Sequence, residues 1–157
     1  GNTGATATPV PTQIPVGAGA TVTPSPEQTY KIGSYIYKIT DTEKKTAKLY
    51  RPVSKKIKKA TIKKTVTIAG VTYKITSIDK NAFKNCKSLK KLTIGKNVKS
   101  IGAKAFFKCK KLKSITIKGT KLKKVGKKAF KGTYRKVKVK ASKKKISKYR
   151  TMIYKQK

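Results

Sequence analysis

The sequence predicts an α+β repeat protein: a short right-handed solenoid with parallel β rungs, an N-terminal β-hairpin cap and a C-terminal helical cap. Three observations lead to this prediction. An apolar pattern recurs about every 23 residues, alternating runs precede it, and a segment with helical spacing follows it. We divide the chain into a Thr/Pro-rich flexible linker, 1–29, and a repeat domain, 30–157. That domain comprises a cap (30–56), repeats (57–139) and a second cap (140–157).

The predicted linker differs sharply in composition from the rest of the chain. Residues 1–29 hold no Lys or Arg, so all 43 basic residues lie beyond them. A Thr/Pro-rich stretch with few large apolar side chains cannot offset the entropy of ordering itself. We therefore expect an extended linker or wall-spanning stalk. We interpret Gly1 as a tag-cleavage scar, so a signal peptide or an anchor could have been removed.

The N-terminal cap is predicted from two alternating runs, Tyr30–Ile39 and Ala47–Val53. Alternation of apolar and polar residues is typical of strands that are buried on one face. The polar link DTEKKT joins the two runs. A β-hairpin that covers the first repeat is therefore expected.

The repeat is the strongest signal. Seven apolar positions recur 23 residues later, and part of the set recurs again after 24 more. The predicted core consists of Ile78, Ala82, Phe83, Cys86, Leu89, Leu92 and Ile94, then Ile101, Ala105, Phe106, Cys109, Leu112, Ile115 and Ile117, then Val125, Ala129 and Phe130. Equivalent residues of stacked coils lie over one another. We therefore expect the three phenylalanines to form one buried column.

Each repeat has two parts. AFxxCxxL places apolar residues at helical spacing, and LxxLxL alternates as a short strand does. Ile57-x-x-Ala60-x-Ile62 is interpreted as a first strand and Tyr134-x-x-Val137-x-Val139 as a fourth. The sequence thus predicts four strand rungs and about two and a half full repeats. One coil alone buries too little apolar surface to offset its backbone entropy, so the coils must stack.

The string KKTVTIAGVTYKITSIDKNAFKNC resembles the opening repeat of the BspA-like (Treponema-type) leucine-rich repeats of bacterial surface proteins. The resemblance covers about residues 57–139 and implies a leucine-rich-repeat solenoid. It also implies a secreted or cell-surface protein of an anaerobic or spirochaete-like bacterium, with roles in adhesion and ligand binding. It brings no shared catalytic residues. This chain departs from the family in having very few repeats, and hence a small concave surface.

Two further elements follow from local patterns. The first repeat is nine residues longer than the second, and TIAGVTYKI alternates around Ala69-Gly70, which predicts a small hairpin. In the C-terminal cap, Ser142 is predicted to N-cap a helix over 143–154. Its apolar face would cover the last rung, and would consist of Ile146, Tyr149 and Ile153.

The net charge of +39 predicts attraction to anionic partners. A monomer is expected. Arg occurs only at 51, 135 and 150, so diffuse attraction fits better than specific recognition, and no specific nucleic-acid partner is expected. The candidate ligand face comprises Lys58, Lys59, Thr61, Lys90, Lys91, Thr93, Lys113, Ser114, Thr116, Arg135, Lys136 and Lys138. Lysines also fill the opposite side, which favours compositional bias as the alternative: Lys80, Lys84, Lys87, Lys104, Lys108, Lys110 and Lys111.

Catalysis and metal binding lack the necessary residues. The chain has no His and four acids, and one of the acids, Glu27, lies in the linker. General acid–base catalysis, nucleophile activation and zinc sites all draw on such groups. We therefore expect no catalytic residues, no metal and no cofactor.

Cys86 and Cys109 are repeat equivalents, so they should stack at about 4.7–4.9 Å, which permits a disulfide. Their parallel Cβ vectors favour free, buried thiols instead.

The residue inventory predicts a non-catalytic module. The resemblance implies that it is secreted or lies at the cell surface and that it binds an unknown protein or host ligand, as in adhesion. Two alternatives stay open. The first is an electrostatic binder of anionic polymers, such as teichoic acid or an anionic glycan. The second is a structural spacer of a larger surface protein. No run of about 18 apolar residues exists, so no membrane span is expected.

Overall fold

The structure, a computed structural model, describes residues 24–157. Most of the predicted linker, residues 1–23, lies outside the described residues. The described part forms eleven strands and one helix: β1 Thr29–Ile32, β2 Tyr35–Asp41, β3 Thr46–Pro52, β4 Lys59–Ile62, β5 Thr65–Ile68, β6 Val71–Ile78, β7 Lys91–Ile94, β8 Ser100–Ile101, β9 Ser114–Ile117, β10 Lys124–Val125, β11 Lys138–Lys140 and α1 Ile146–Lys155.

The N-terminal cap has three antiparallel strands, so the expectation of two was wrong in this respect. The run Tyr30–Ile39 turns back on itself at Gly33-Ser34, which leaves Ile32 opposite Tyr35. Gly33 has a φ of 64°, a conformation that glycine adopts without steric cost. The hairpin of β2 and β3 across the DTEKKT link is confirmed.

The cap continues into the repeats through one sheet, in the order β1-β2-β3-β6-β8-β10, with β5 paired to β6. β3 pairs with β6 in parallel, and the two-residue strands β8 and β10 extend the sheet. The predicted hairpin at Ala69-Gly70 is confirmed, because β5 and β6 pair with Ile68 opposite Val71. Ala69 and Gly70 both have positive φ, as a two-residue type I′ turn requires.

A second, wholly parallel sheet contains the four predicted rungs in the order β11-β9-β7-β4. Leu92 lies opposite Ala60 on one side and opposite Ile115 on the other, as the spacing predicts. In β11 the register was wrong by two residues, because Val139 and not Val137 lies opposite Ile115. A shift of two keeps the same side chains on the buried face, so alternation cannot distinguish the two registers. Tyr134 consequently does not replace a core leucine and is 40% exposed.

The AFxxC segments are successive turns, so the expectation of helical structure was wrong. Backbone N–H groups bond to the carbonyl three residues earlier, as from Cys86 to Phe83. Left-handed residues recur and interrupt any helix: Asn81 and Asn85, then Lys104 and Lys108, then Lys128 and Gly132. The free N–H groups bond to the next coil instead, as from Phe83 to the Ala105 carbonyl. These backbone bonds between turns join the coils on the side away from the parallel sheet, which we term the turn side.

The predicted phenylalanine column is confirmed. The rings of Phe83 and Phe106 are stacked with centroids 5.0 Å apart, and those of Phe106 and Phe130 are 5.1 Å apart. Tyr35 of the cap meets Phe83 edge-on. Every residue of the predicted core is buried.

Adjacent coils approach closely at two equivalent glycines. A Cβ added to Gly102 would lie 2.4 Å from the backbone N of Lys80, and one added to Gly126 would lie 2.5 Å from the backbone N of Ala103. These positions tolerate no side chain unless the backbones separate.

The C-terminal helix begins three residues later than predicted. Residues 143–145 form a turn, and the Ser142 carbonyl accepts from the N–H groups of Lys145 and Ile146. The Ser142 carbonyl, rather than its side chain, therefore makes the contact at this end, and Lys145 is the N-cap. The prediction that Tyr149 and Ile153 face the core is confirmed by their burial, whereas Ile146 is partly buried. Beyond the helix, Gln156 accepts from the N–H of Phe130 and so covers the last turn.

Candidate binding surfaces

The parallel sheet β4-β7-β9-β11 presents an ordered outer surface, which we term the ladder face. Its strands alternate buried residues with outward residues that are exposed or half-buried, and the pairing places the outward residues in two columns. The columns are Lys59–Lys91–Ser114–Lys138 and Thr61–Thr93–Thr116–Lys140. Neighbouring strands in a sheet lie about 4.8 Å apart, so these side chains form closely spaced rows.

The ladder face overlaps with the predicted ligand face but does not coincide with it. Lys58, Lys90 and Lys113 lie just before their strands in a third, hydrogen-bonded row. Arg135 and Lys136 precede β11 and are not part of the ladder-face columns. The sequence analysis missed Lys140, because its register for the last rung differed by two residues.

Positive charge is not confined to the ladder face. The lysines on the turn side are exposed or half-buried as well: Lys80, Lys84, Lys87, Lys104, Lys108, Lys110 and Lys111. The ammonium groups of Lys84, Lys104 and Lys108 lie 5.4–5.6 Å from the ring centre of half-buried Phe107. A distribution of this kind attracts anions from every side and does not by itself mark a site.

A cleft lies at the C-terminal end, between β11 and α1, and encloses about 530 Å³. It is lined by Arg135, Lys136, Val137, Lys138, Val139, Lys140, Arg150 and Tyr154. The helix is fixed against the strand because the Tyr154 hydroxyl donates to the Val137 carbonyl at 2.6 Å. Sequence reasoning missed the cleft, since Arg135 and Arg150 are brought together only by the turn that precedes α1.

Two exposed tyrosines lie at this end of the chain, Tyr154 in the lining of the cleft and Tyr134 next to Arg135 in sequence. Tyr134 is 40% exposed and Tyr154 is 43% exposed. Lys157, at the end of the chain, is bound to the segment before β11, because its Nζ donates to the carbonyls of Tyr134 and Arg135 at 2.8 and 2.9 Å. Desolvation lowers the pKa of Lys157. The end of the molecule thus differs in chemistry from the lysine-covered sides.

The two cysteines are free and buried, as expected. The Cys109 thiol donates to the Phe83 carbonyl at 3.1 Å. Burial raises the pKa of Cys109 to about 12 and also raises that of Cys86. A thiol that stays protonated is a poor nucleophile and a poor metal ligand, so these groups are structural.

The carboxylates form no cluster that could bind a metal ion within residues 24–157. Asp79 pairs with Lys48 at 3.1 Å, and Asp41 accepts from the N–H groups of Glu43 and Lys44 in the cap turn. Across residues 24–157, no group of three His, Cys, Asp or Glu side chains is placed to hold a metal ion. Within the same range, no helix is long and apolar enough to span a membrane.

Comparison with protein families gives a match to the BspA type leucine rich repeat region over residues 55–155, in six copies. Comparison with curated proteins gave no significant match. Three solved structures are similar. A leucine rich cell surface protein from Faecalibacterium prausnitzii A2-165 shares 28% identity with a TM-score of 0.60, and the match covers 78% of this chain.

The other two are leucine-rich repeat proteins from Bacteroides. That of B. ovatus shares 23% identity over 73% of this chain (TM-score 0.53), and that of B. capillosus shares 25% over 74% (TM-score 0.52). The match spans 33% of the Faecalibacterium chain, 37% of the B. ovatus chain and 99% of the B. capillosus chain.

Proposed function

Because the chain belongs to the BspA type leucine-rich repeat family, we propose that it is a non-catalytic binding module of a secreted or cell-surface protein, with a protein as its ligand. The similarity to a leucine rich cell surface protein supports the location. Adhesion to a host protein is the role we propose for such a module. We also propose a right-handed solenoid winding, the usual hand of parallel crossover connections, and one folded domain over 30–157 behind a linker at 1–29.

The observation that carries this proposal is the register of the four parallel strands. Their outward side chains form continuous columns across the ladder face instead of a scattered surface. Such an array gives a partner an extended surface of fixed spacing, as repeat proteins generally do. Protein interfaces are depleted of lysine at their centre, so the threonine and serine positions of the columns would lie under the middle of the contact.

The test uses an array of extracellular proteins and anionic polymers, probed with the full chain at about 50 and about 300 mM salt. The ladder-face variant replaces Lys59 and Lys91 with Gln, because the other two column lysines, Lys138 and Lys140, also line the cleft. Its matched control replaces two exposed turn-side residues, Lys87 and Lys110, with Gln. We expect a protein signal that survives the higher salt, is lost in the ladder-face variant and persists in the control. Equal loss in both variants, or no protein signal at the higher salt, contradicts the proposal.

A second candidate is electrostatic binding of an anionic polymer, such as teichoic acid or an anionic glycan. It is favoured by the alignment of Lys59, Lys91 and Lys138 in one column and by the net charge of +39. Binding of this kind depends on charge and is screened by salt. It therefore predicts polymer signals that disappear at the higher salt and fall similarly in both variants. A structural spacer predicts no signal that either variant changes selectively.

A further inference from the structure

The cleft at the C-terminal end exposes the edge of a β-sheet. β11 is the last strand of the parallel sheet and has β9 on one side only. Six consecutive residues, Arg135 to Lys140, line the cleft, so a continuous stretch of backbone faces it. An edge strand presents unpaired N–H and C=O groups that can pair with another extended chain.

The hydrogen bonds indicate which part of this edge is available. The Lys138 N–H points into the sheet, where it donates to the Lys113 carbonyl at 2.8 Å. Pairing alternates along a parallel strand, so the N–H and C=O of Val139 point outward into the cleft. The carbonyl of Val137 is already used by the Tyr154 hydroxyl. The available edge is therefore short and centred on Val139.

The side chains around this edge include arginine and tyrosine, two residue types that are enriched at protein interfaces. Two of the three arginines in the chain, Arg135 and Arg150, line the cleft. Within residues 24–157, their guanidinium groups make no hydrogen bond or ion pair, whereas Arg51 donates to the carbonyls of Tyr50 and Lys80. Arginine binds carboxylates in a bidentate manner that lysine cannot reproduce. Arginine and tyrosine are also the residues enriched at energetically important interface positions.

The charge of the molecule selects the occupant. A second copy would bring another +39 into contact with this one, so self-association at the cleft is opposed. An acidic partner is favoured by the two free arginines and by Lys136, Lys138 and Lys140. A glycan would engage only this basic rim, whereas a peptide would also pair with the strand backbone.

We propose that the cleft between β11 and α1 binds an extended acidic segment of a partner protein, which adds a strand at Val139 and places carboxylates against Arg135 and Arg150. The proposal rests on the proposed function in that the partner is a protein, but it assigns the edge of β11 and the cleft beside it, which share only Lys138 and Lys140 with the ladder face.

The test uses the full chain and a fluorescent peptide of about eight residues that alternates Glu and Val, a length that a short strand spans. Binding is measured by fluorescence anisotropy. We expect the double variant Arg135→Gln/Arg150→Gln to bind about tenfold more weakly or worse, because two charge-assisted contacts are lost. The matched control Lys87→Gln/Lys110→Gln removes the same charge on the turn side and should change affinity less than about twofold. All four residues are exposed, and circular dichroism checks that each variant folds.

Two further measurements examine strand addition. A peptide methylated on alternate backbone nitrogens keeps its charge but cannot pair along one edge, so it should bind at least about tenfold more weakly. Hydrogen exchange at the Val139 amide should slow when the unmodified peptide is bound, since that N–H gains a partner.

Four results would overturn the inference. Equal weakening by the arginine pair and the lysine pair would indicate diffuse charge alone. Undiminished binding of the methylated peptide, or an unchanged exchange rate at Val139, would exclude strand addition. A sulfated oligosaccharide that binds more tightly than the peptide, and through the same arginines, would make the cleft a glycan site. If the peptide fails while the ladder-face variant still abolishes binding of an array protein, only the cleft proposal fails and the proposed function remains.

Discussion

Phe106 lies in the middle of the ring column, so its replacement tests whether stacking between coils stabilises the fold. The centre of its ring lies 5.0 Å from that of Phe83 and 5.1 Å from that of Phe130, and its side chain is fully buried. Truncation of a buried phenylalanine to alanine costs about 3–5 kcal/mol. Phe106→Leu keeps most of the volume but loses two aromatic pairs worth about 0.5–1.5 kcal/mol each, which gives about 1–3 kcal/mol. Phe130→Leu loses one such pair and should cost less.

Urea denaturation followed by circular dichroism measures these differences as free energies of unfolding. The neighbouring residue supplies a matched control, because Phe107 is only half-buried and Phe107→Leu should cost less than about 1 kcal/mol. The reasoning is refuted if Phe106→Leu costs no more than Phe130→Leu, or if Phe107→Leu is as damaging as Phe106→Leu.

Three other predictions concern stability. Gly102→Ala should lower the free energy of unfolding by about 1–3 kcal/mol or more in a urea titration, because the new Cβ meets the backbone of Lys80; an unchanged midpoint would disprove the close packing of the coils. Lys104→Asn should raise stability by up to about 1 kcal/mol, because φ there is 56° and asparagine tolerates that region, while Lys110→Asn should have little effect; equal effects would contradict the argument from φ. Burial raises the pKa of Cys109 from 9.0 to about 12 in the folded state. The buried, protonated thiol therefore contributes fully to the free energy of unfolding below pH 9, and this contribution is lost as the pH rises towards 12. The stability difference between the unsubstituted chain and Cys109→Ala should therefore shrink above pH 9, by up to about 1.4 kcal/mol per pH unit, and a constant difference would show that the thiol is not buried as described.

Much of the fold could be predicted because the repeat carries redundant information. Ile78, Ile101 and Val125 have the same spacing as the phenylalanines, and all three lie in adjacent strands of one sheet. The hairpin at Ala69-Gly70 followed from a local pattern, since apolar and polar residues alternate on both sides of a pair that contains glycine. Periodicity and turn chemistry are properties of the sequence itself, so both were accessible without coordinates.

What could not be predicted depends on details that periodicity does not encode. Phe83 and Cys86 have helical spacing, yet Asn81 and Asn85 take the left-handed conformation that makes the segment a series of turns. Backbone bonds to the adjacent coil compensate for the lost helix, and they exist only once the coils are stacked.

The cleft shows the same limit at the level of function. Arg135 lies in the segment before β11 and Arg150 lies in α1, and nothing in either local sequence pattern relates the two residues. Their proximity results from the path of the chain after β11, and from the contact between Tyr154 and the Val137 carbonyl. The ladder face was foreseeable in outline, because alternation identifies outward residues, but its last rung required the observed register.

The in-register stacking makes the interior coil interchangeable. Ile101 has Ile78 on one side and Val125 on the other, and Ile115 lies between Leu92 and Val139, so this coil meets similar neighbours above and below. A duplicated coil spliced beside it would present the same surfaces to both sides and need no redesigned junction. Each such insertion would lengthen the molecule by about 4.8 Å, one strand spacing. The length of the repeat domain could therefore be set by the number of coils, and each added coil would add one row to the ladder face.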